Sequence, residues 1–162
     1  MPGTLKEKGL LGNLFVSSSV AITIFLGGTV VGDPWNKGVM IFSIMIFLFN
    51  LGEEIAADAM DLEGDKKRDT KSIAILIGRK KALYISFSLF VMEIALSFLP
   101  VVWGIFGISY LIIISITDLT ILFLGIKLLN TQSIKRGRIY IRRLYLSVLL
   151  GILLIILSMI II

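Results

Sequence analysis

The chain has no cysteine and no histidine among its 162 residues, and it has only three prolines. Without cysteine it can form neither a disulfide nor a thiolate, and without histidine it lacks the usual general base and most zinc sites. Charged residues are also scarce, at 17% of the chain, whereas hydrophobic residues make up 57% and the mean hydropathy is +0.98. This composition excludes an ordinary soluble domain and indicates an integral membrane protein.

Five apolar segments each approach the ~20 residues that a helix needs to cross the hydrocarbon core of a bilayer. The sequence therefore predicts an all-α, polytopic membrane bundle of five transmembrane helices, forming one domain over residues 1–162. The predicted spans are residues 13–31, 38–57, 82–99, 105–126 and 144–162. Small and hydroxyl residues dilute the first span, and residues of that kind favour a position inside the bundle.

Basic residues segregate to one side of these predicted spans. They precede the first span and fill the connections between spans two and three and between spans four and five, which leaves only Lys37 on the other side. The positive-inside rule then predicts a multi-pass cell-membrane protein with these connections in the cytoplasm and the C-terminus outside. The net charge of +5 is expected to face anionic lipid headgroups, and its division among loops argues against nucleic acid as a partner.

A block of acids and bases between spans two and three carries the most specific pattern in the chain. Read as one helix, it places four carboxylates on one face, at steps of four, three and four: Glu54, Asp58, Asp61 and Asp65. Like charges one turn apart repel unless a cation lies on them, and carboxylates suit Mg2+ that is shared with substrate phosphates. Arg68 and Lys71 follow at once. The pattern predicts a magnesium diphosphate site, and the alternative is a solvated loop whose charges only fix topology.

Two further carboxylates fall inside predicted spans. Glu93 lies in span three and Asp118 in span four, where an unpaired carboxylate costs about 2.5–3.5 kcal/mol. Such residues usually face the interior of a bundle. We expect each to form a hydrogen bond or ion pair there, with direct contact to a substrate as the alternative.

The acidic block and its flanks resemble the second aspartate-rich motif of the UbiA-type intramembrane prenyltransferases. The resemblance rests on Asp58-x-x-Asp61-x-x-x-Asp65 after Glu54, on the segments 71–74 and 78–82, and on the residue pairs 5–6 and 12–13, and it covers roughly residues 4–130. The family fold is a nine-helix bundle around a cavity that is capped on the cytoplasmic side. Its members transfer an isoprenoid from an allylic diphosphate to an acceptor, with Mg2+ bound by two aspartate-rich motifs.

The chain departs from the family pattern in two ways. It contains no first aspartate-rich motif, and its five spans match only helices five to nine of that bundle. We therefore expect the first four helices to lie upstream or on a separate chain, and the 162 residues alone not to be a competent transferase. In addition, Glu53 stands where many relatives have an arginine, so one base that faces the diphosphate is absent or supplied elsewhere.

The resemblance implies a dissociative reaction in which a metal neutralises the departing diphosphate. Mg2+ on Asp58, Asp61 and Asp65 would take the Lewis-acid and template roles of a catalytic metal. The allylic carbocation would then be captured by an acceptor hydroxyl inside a cavity that excludes bulk water. The apolar walls of the spans would hold the isoprenoid tail.

The resemblance also assigns roles to residues outside the acids. Arg68, Lys71 and Lys6 would add fixed positive charge to the same phosphate oxygens, with Lys6 counted beside Asp58 and Asp61 as catalytic. Asn13 would orient the diphosphate or a water bound to the metal. The alternative for Lys6 is a base that only sets topology, and the alternative for Asn13 is a helix N-cap.

Within the family, the N-terminal residue pairs and the Leu-Glu-Gly-Asp sequence at 62–65 look most like the archaeal branch that works in ether-phospholipid synthesis. The implied substrates are a prenyl diphosphate, most similar to a geranylgeranyl donor, and a lipid acceptor such as geranylgeranylglyceryl phosphate. An aromatic acceptor of the quinone pathways remains an alternative. A CDP-alcohol phosphotransferase would need glycine directly after the second aspartate, where Leu62 stands. A non-enzymatic membrane subunit would leave the acidic pattern without a purpose.

Overall fold

The computed structural model of the protein describes residues 9–67 and 71–161, except for the side chains of residues 65–67 and 161. In this part of the chain, all regular structure is helical. The elements are α1 (Leu10–Val30), α2 (Lys37–Met60), α3 (Leu62–Lys67), α4 (Ile73–Ile77), α5 (Arg79–Ser97), α6 (Leu99–Val102), α7 (Ile108–Asn130) and α8 (Ile134–Ile161).

Five helical stretches in the described residues are long and apolar enough to cross a membrane. They are Leu10–Val30, Lys37–Met60, Arg79–Val102, Ile108–Asn130 and Ile134–Ile160. The predicted five-span helical bundle is therefore confirmed. The last helix begins at Ile134 rather than at residue 144, because the Ser133 hydroxyl accepts a hydrogen bond of 3.3 Å from the Arg136 amide and helps to start the helix earlier. Its first turns consequently carry the basic residues that were expected in a loop.

The helix α2 lies at the centre of the packing and contacts α1, α5 and α8, while α7 packs against both α5 and α8. A close approach joins α2 to α5 at Gly52, where an added Cβ would lie 2.7 Å from the Phe90 ring. The Ser86 hydroxyl of α5 donates a 2.6 Å hydrogen bond to the Gly52 carbonyl at the same place. This contact fixes the height of α5 against the middle of α2.

The helix α1 lies against α2 and exposes most of its large side chains. Its buried residues are small or amide-bearing, namely Gly12, Asn13, Ser17, Ala21 and Gly28. The small residues let α1 approach α2 closely, as at Gly28, where an added Cβ would lie 2.8 Å from Val39. In the described part of the chain, one face of α1 therefore packs closely on α2, and its other face carries the exposed large side chains.

The two basic connections meet at one end of the bundle. The Arg79 guanidinium at the start of α5 donates to the carbonyls of Thr131 and Gln132, between α7 and α8, at 3.1 and 2.9 Å. At the opposite end of α2, the Lys37 ammonium lies 5.9 Å from the centre of the Trp103 ring. The separation of charge that the sequence predicts therefore corresponds to two ends of the folded chain.

The carboxylates of the spans are buried, as expected. Asp118 accepts a 2.6 Å hydrogen bond from the Ser97 hydroxyl, and the Tyr110 hydroxyl donates to the Ser97 carbonyl at 2.7 Å. These bonds join α5 to α7 and confirm a structural role for Asp118. Glu93 is only 6% exposed and borders a cavity of about 40 Å³ between α2, α7 and α8, but the hydrogen bond expected for it is not found at its buried Oε2, which has no partner among the described residues.

Candidate functional site

The acidic block does not form one continuous helix, so this part of the sequence interpretation is wrong. Helix α2 ends at Met60, and Asp61 leaves the helical conformation with φ −123° and ψ 26°. A second, short helix, α3, begins at Leu62. Because the helical conformation is interrupted at Asp61, the regular spacing of the acids does not place all four on the face of one helix.

Asp58 faces α1, where it meets one of the predicted site residues. The Asn13 side-chain amide donates a hydrogen bond of 2.7 Å to the Asp58 carboxylate, across 45 residues of sequence. Asn13 is 5% exposed and lies one turn inside α1, whose N-cap is Gly9. The N-cap alternative for Asn13 is therefore wrong. The amide holds the Asp58 carboxylate in a fixed orientation without adding charge.

Lys71 lies beside the same end of α1. Gly9 has a φ of 59°, and an added Cβ at this position would overlap the Lys71 carbonyl and lie 3.0 Å from the Ser72 amide nitrogen. The Gly9 carbonyl in turn accepts a 3.2 Å hydrogen bond from the Asn13 amide. The Lys71 residue is exposed and its backbone packs on the first turn of α1. The fold thus gathers Asn13, Asp58 and Lys71 at one end of the α1–α2 pair.

Asp61 faces a different neighbour, the first turns of α8. The Arg138 guanidinium lies 3.2 Å from the Asp61 carboxylate and donates to the Met60 carbonyl at 3.4 Å. The preceding Gly137 permits this contact, because an added Cβ would overlap the Met60 side chain. Sequence analysis missed Arg138 as a site residue and counted it among the topology-setting bases. A glycine inside a basic helical segment was the one signal of a close helix approach.

The Asp61 carboxylate also lies over the first turn of α3. An added Cβ at Gly64 would lie 2.6 and 2.7 Å from its two oxygens. Any residue other than glycine would have to displace the carboxylate or the turn. The Leu-Glu-Gly-Asp sequence at 62–65 therefore serves the orientation of Asp61.

A cavity of about 560 Å³ opens between α2 and α8 beside this carboxylate. Charged residues from both helices and an apolar wall line it: Glu53, Ala57, Asp61, Arg138, Ile141, Arg142 and Tyr145. Since Glu53 of α2 precedes Asp61, which directly follows that helix, by eight residues, the cavity extends about two turns along α2. The site therefore has two sides, one between α1 and α2 and one between α2 and α8.

Three predicted site residues cannot be placed fully. Lys6 and Arg68 lie outside the described residues, and so does the side chain of Asp65. Among the side chains that are described, no three acids come together as a cage for a metal ion. Mg2+ is usually held by one or two carboxylates together with waters and substrate phosphates. The chemistry of Asp58 and Asp61 at the end of α2 therefore fits a metal that is shared with a diphosphate.

Residues 2–149 match the UbiA prenyltransferase family. A membrane bundle of this helical order with an acidic motif after its second span is consistent with that match, and the chain belongs to this family.

Among the relatives, the digeranylgeranylglyceryl phosphate synthase of Methanococcus vannielii is 38% identical over 133 residues, which are 82% of this chain and 47% of the relative. The synthase of Methanosphaera stadtmanae is 36% identical over 80% of this chain and 47% of its own length. The synthase of Sulfurisphaera tokodaii is 32% identical over 85% of this chain and 50% of its own length. The chain spans about half the length of these curated relatives.

A solved structure supports the same relationship. It comes from work on the biosynthesis of digeranylgeranylglyceryl phosphate synthase in membranes, and it aligns with a TM-score of 0.87 at 30% identity. The alignment covers 95% of this chain and 54% of the solved one. The bundle described above therefore has the fold of the part of that structure with which it aligns.

Proposed function

We propose that this chain supplies the second aspartate-rich motif of a Mg2+-dependent prenyltransferase. The reaction is the transfer of a geranylgeranyl group from its diphosphate to the hydroxyl of a lipid acceptor, geranylgeranylglyceryl phosphate, in archaeal ether-lipid synthesis. The proposal rests above all on the end of α2, where Asp58 is held by Asn13 and Asp61 follows at the turn. The choice of geranylgeranylglyceryl phosphate as the acceptor rests on the similarity to the digeranylgeranylglyceryl phosphate synthases.

The acids and bases of the site bind and orient the diphosphate. Asp58, Asp61 and Asp65 would hold Mg2+. When bound, the metal would neutralise charge on the departing diphosphate. Lys71, whose backbone packs beside the start of α1, would add positive charge near the same oxygens, as would the bases Arg68 and Lys6. Because Asn13 already fixes the Asp58 carboxylate, the site pays little reorganisation when the diphosphate arrives.

The bond changes follow from this arrangement. The bond between the allylic carbon and the diphosphate oxygen breaks, and the leaving diphosphate keeps the electron pair. A new bond forms between the allylic carbon and the acceptor oxygen, which loses its proton. In the bundle completed by the further helices, apolar walls around the site would exclude bulk water, so that the carbocation meets the acceptor hydroxyl rather than solvent.

The proposal includes two features of the surroundings. The acidic motif lies on the cytoplasmic side. The basic connections meet at the same end of the bundle as this motif, and the positive-inside rule places basic connections in the cytoplasm. A first aspartate-rich motif comes from further helices, upstream or on a second chain. The length of the relatives, about twice the span that this chain matches, supports this second feature.

A transfer assay tests the proposal. The chain is expressed in membranes alone and together with the N-terminal half of the Methanococcus vannielii relative, and labelled geranylgeranyl diphosphate is supplied with geranylgeranylglyceryl phosphate or with an aromatic hydroxybenzoate acceptor. We expect Mg2+-dependent transfer to the glyceryl phosphate from the paired halves and none from the chain alone. Transfer by the 162 residues alone would contradict the need for a second motif. Transfer to the aromatic acceptor only would assign the chain to the quinone pathways.

A further inference from the structure

We infer that Arg138 and Arg142 of α8 form a binding site for the phosphate of the lipid acceptor, with its hydrocarbon chain along the apolar wall of the α2–α8 cavity. This inference rests on the proposed function, because it takes the acceptor to be a lipid with a phosphate monoester. It assigns the α2–α8 cavity to the acceptor and leaves the acids at the end of α2, Asp61 included, together with the α1–α2 side to the diphosphate.

Arg138 and Arg142 line two neighbouring cavities and lie between them. The 560 Å³ cavity between α2 and α8 and a neighbouring one of about 520 Å³ are both lined by Arg138 and Arg142. Their spacing of four residues places them one above the other on the same face of α8. One planar guanidinium group can donate two parallel hydrogen bonds to two oxygens of a phosphate. Two arginines one helical turn apart therefore suit a single phosphate monoester.

Arg138 is held in position for this role by the end of α2. Its guanidinium is fixed by the Asp61 carboxylate and the Met60 carbonyl, at 3.2 and 3.4 Å. A guanidinium has five N–H donors in a rigid fork, and these two contacts use one nitrogen. The ion pair also offsets the negative charge of Asp61 on the cavity wall. An anion bound by Arg138 would therefore lie beside the acid that we assign to the diphosphate site.

The remaining wall of the cavity suits a hydrocarbon chain. Besides Glu53, which is the one acid among the described residues in this part of the cavity, the lining residues are Ala57 of α2 and Ile141 and Tyr145 of α8, and Tyr145 lies about two turns further along α8 than Arg138. The basic end of the cavity is the end at which the charged connections meet. A molecule with an anionic head and an apolar tail matches this order of charged and apolar surface better than free phosphate does.

A binding experiment without metal tests the inference. The full chain in detergent with EDTA is titrated with lysophosphatidic acid, which is a lipid with a phosphate monoester, and unfolding is followed by the fluorescence of Trp35 and Trp103. Monoacylglycerol, inorganic phosphate and geranylgeranyl diphosphate are titrated in parallel. We expect stabilisation by the phosphate-bearing lipid at concentrations where monoacylglycerol and inorganic phosphate have little effect.

The variants locate the binding. Loss of one charge-assisted contact in Arg142→Gln should weaken lysophosphatidic acid binding by about tenfold. Arg138→Lys keeps the charge but loses the fork, so it should also bind the lipid more weakly. The matched control is Arg143→Gln, which removes the same charge from the adjacent exposed residue of α8 and should bind within about twofold of the parent, as expected for a change outside the contacts.

Two results would overturn the inference. An equal loss of affinity in the Arg142 and Arg143 variants would show that the lipid responds only to surface charge. A loss that falls on geranylgeranyl diphosphate and spares lysophosphatidic acid would assign the arginines to the donor. Because no metal is present, failure here is separate from failure of the transfer assay, which depends on Mg2+.

Discussion

At the scale of single residues, the end of α2 holds its two central acids in different ways. Asp58 accepts a hydrogen bond from the neutral Asn13 amide, and Asp61 forms an ion pair with Arg138. The first contact fixes a carboxylate and keeps its charge, whereas the second offsets that charge. The Asp61 pair is partly exposed, with the two side chains 39% and 62% accessible, so it contributes little to stability and can exchange partners when a stronger cation arrives.

Gly64 offers a test of whether the orientation of Asp61 matters. In Gly64→Ala the new Cβ would meet both Asp61 oxygens, so the carboxylate has to move. Alanine is favoured over glycine in a helix by about 0.5–1 kcal/mol, which offsets part of the steric cost. We expect the stability of the free protein to change little, while the rise in Tm produced by Mg2+ and geranylgeranyl diphosphate falls clearly.

The control for this variant is Gly27→Ala in α1, where an added Cβ meets nothing within 4 Å. It should keep the full ligand-induced rise in Tm. If Gly64→Ala keeps that rise as well, the position of the Asp61 carboxylate is not needed for binding.

At the scale of the elements, Arg79 joins three parts of the bundle at the charged end. Its guanidinium donates to the carbonyls of Thr131 and Gln132 and contacts the Met60 sulfur at 3.4 Å. It therefore links the start of α5, the α7–α8 connection and the last residue of α2. Since Asp61 and Arg138 border the same junction, the position of α8 against the acidic motif depends on this link.

Replacing this arginine should destabilise the protein. Arg79→Met keeps much of the side-chain length but removes the donors, so two carbonyls at the α7–α8 connection lose their charged partner. We expect a cost of about 1.5–3 kcal/mol in the free energy of unfolding. Thermal or denaturant unfolding in detergent measures it.

The neighbouring Lys80→Met removes an exposed charge of the same sign and serves as the control, with an expected change of about 0.5 kcal/mol or less. Equal destabilisation by the two variants would mean that Arg79 acts through general charge and not through its carbonyl contacts.

At the scale of the whole molecule, the membrane spans were predictable because the hydrocarbon core of a membrane permits few backbone structures. Backbone groups in hydrocarbon must be satisfied internally, so apolar stretches of sufficient length form helices. Local caps decide the ends, and this is why α8 begins at Ile134 and not at residue 144. Hydropathy contains no information on such caps.

The site was predictable only in part. The sequence named Asn13 and Asp58 separately but not their contact, because no rule of spacing joins residues 45 positions apart. The turn at Asp61 was missed because the acids keep a helical spacing through it. Arg138 was missed because it reaches Asp61 across 77 residues, through a helix contact that depends on Gly137. Such tertiary contacts are set by the packing of whole helices.

The central claim is that the acids at the end of α2 bind a magnesium diphosphate, and thermal unfolding tests it most directly. Mg2+ together with a non-hydrolysable geranylgeranyl diphosphate analogue should raise the Tm of the protein, because a ligand that binds only the folded state stabilises it. Asp61→Asn should stay folded and lose most of this rise. Asp33→Asn, which changes an exposed acid in the connection between α1 and α2, should keep it. An undiminished rise in the Asp61 variant would remove this residue from the site and contradict the account.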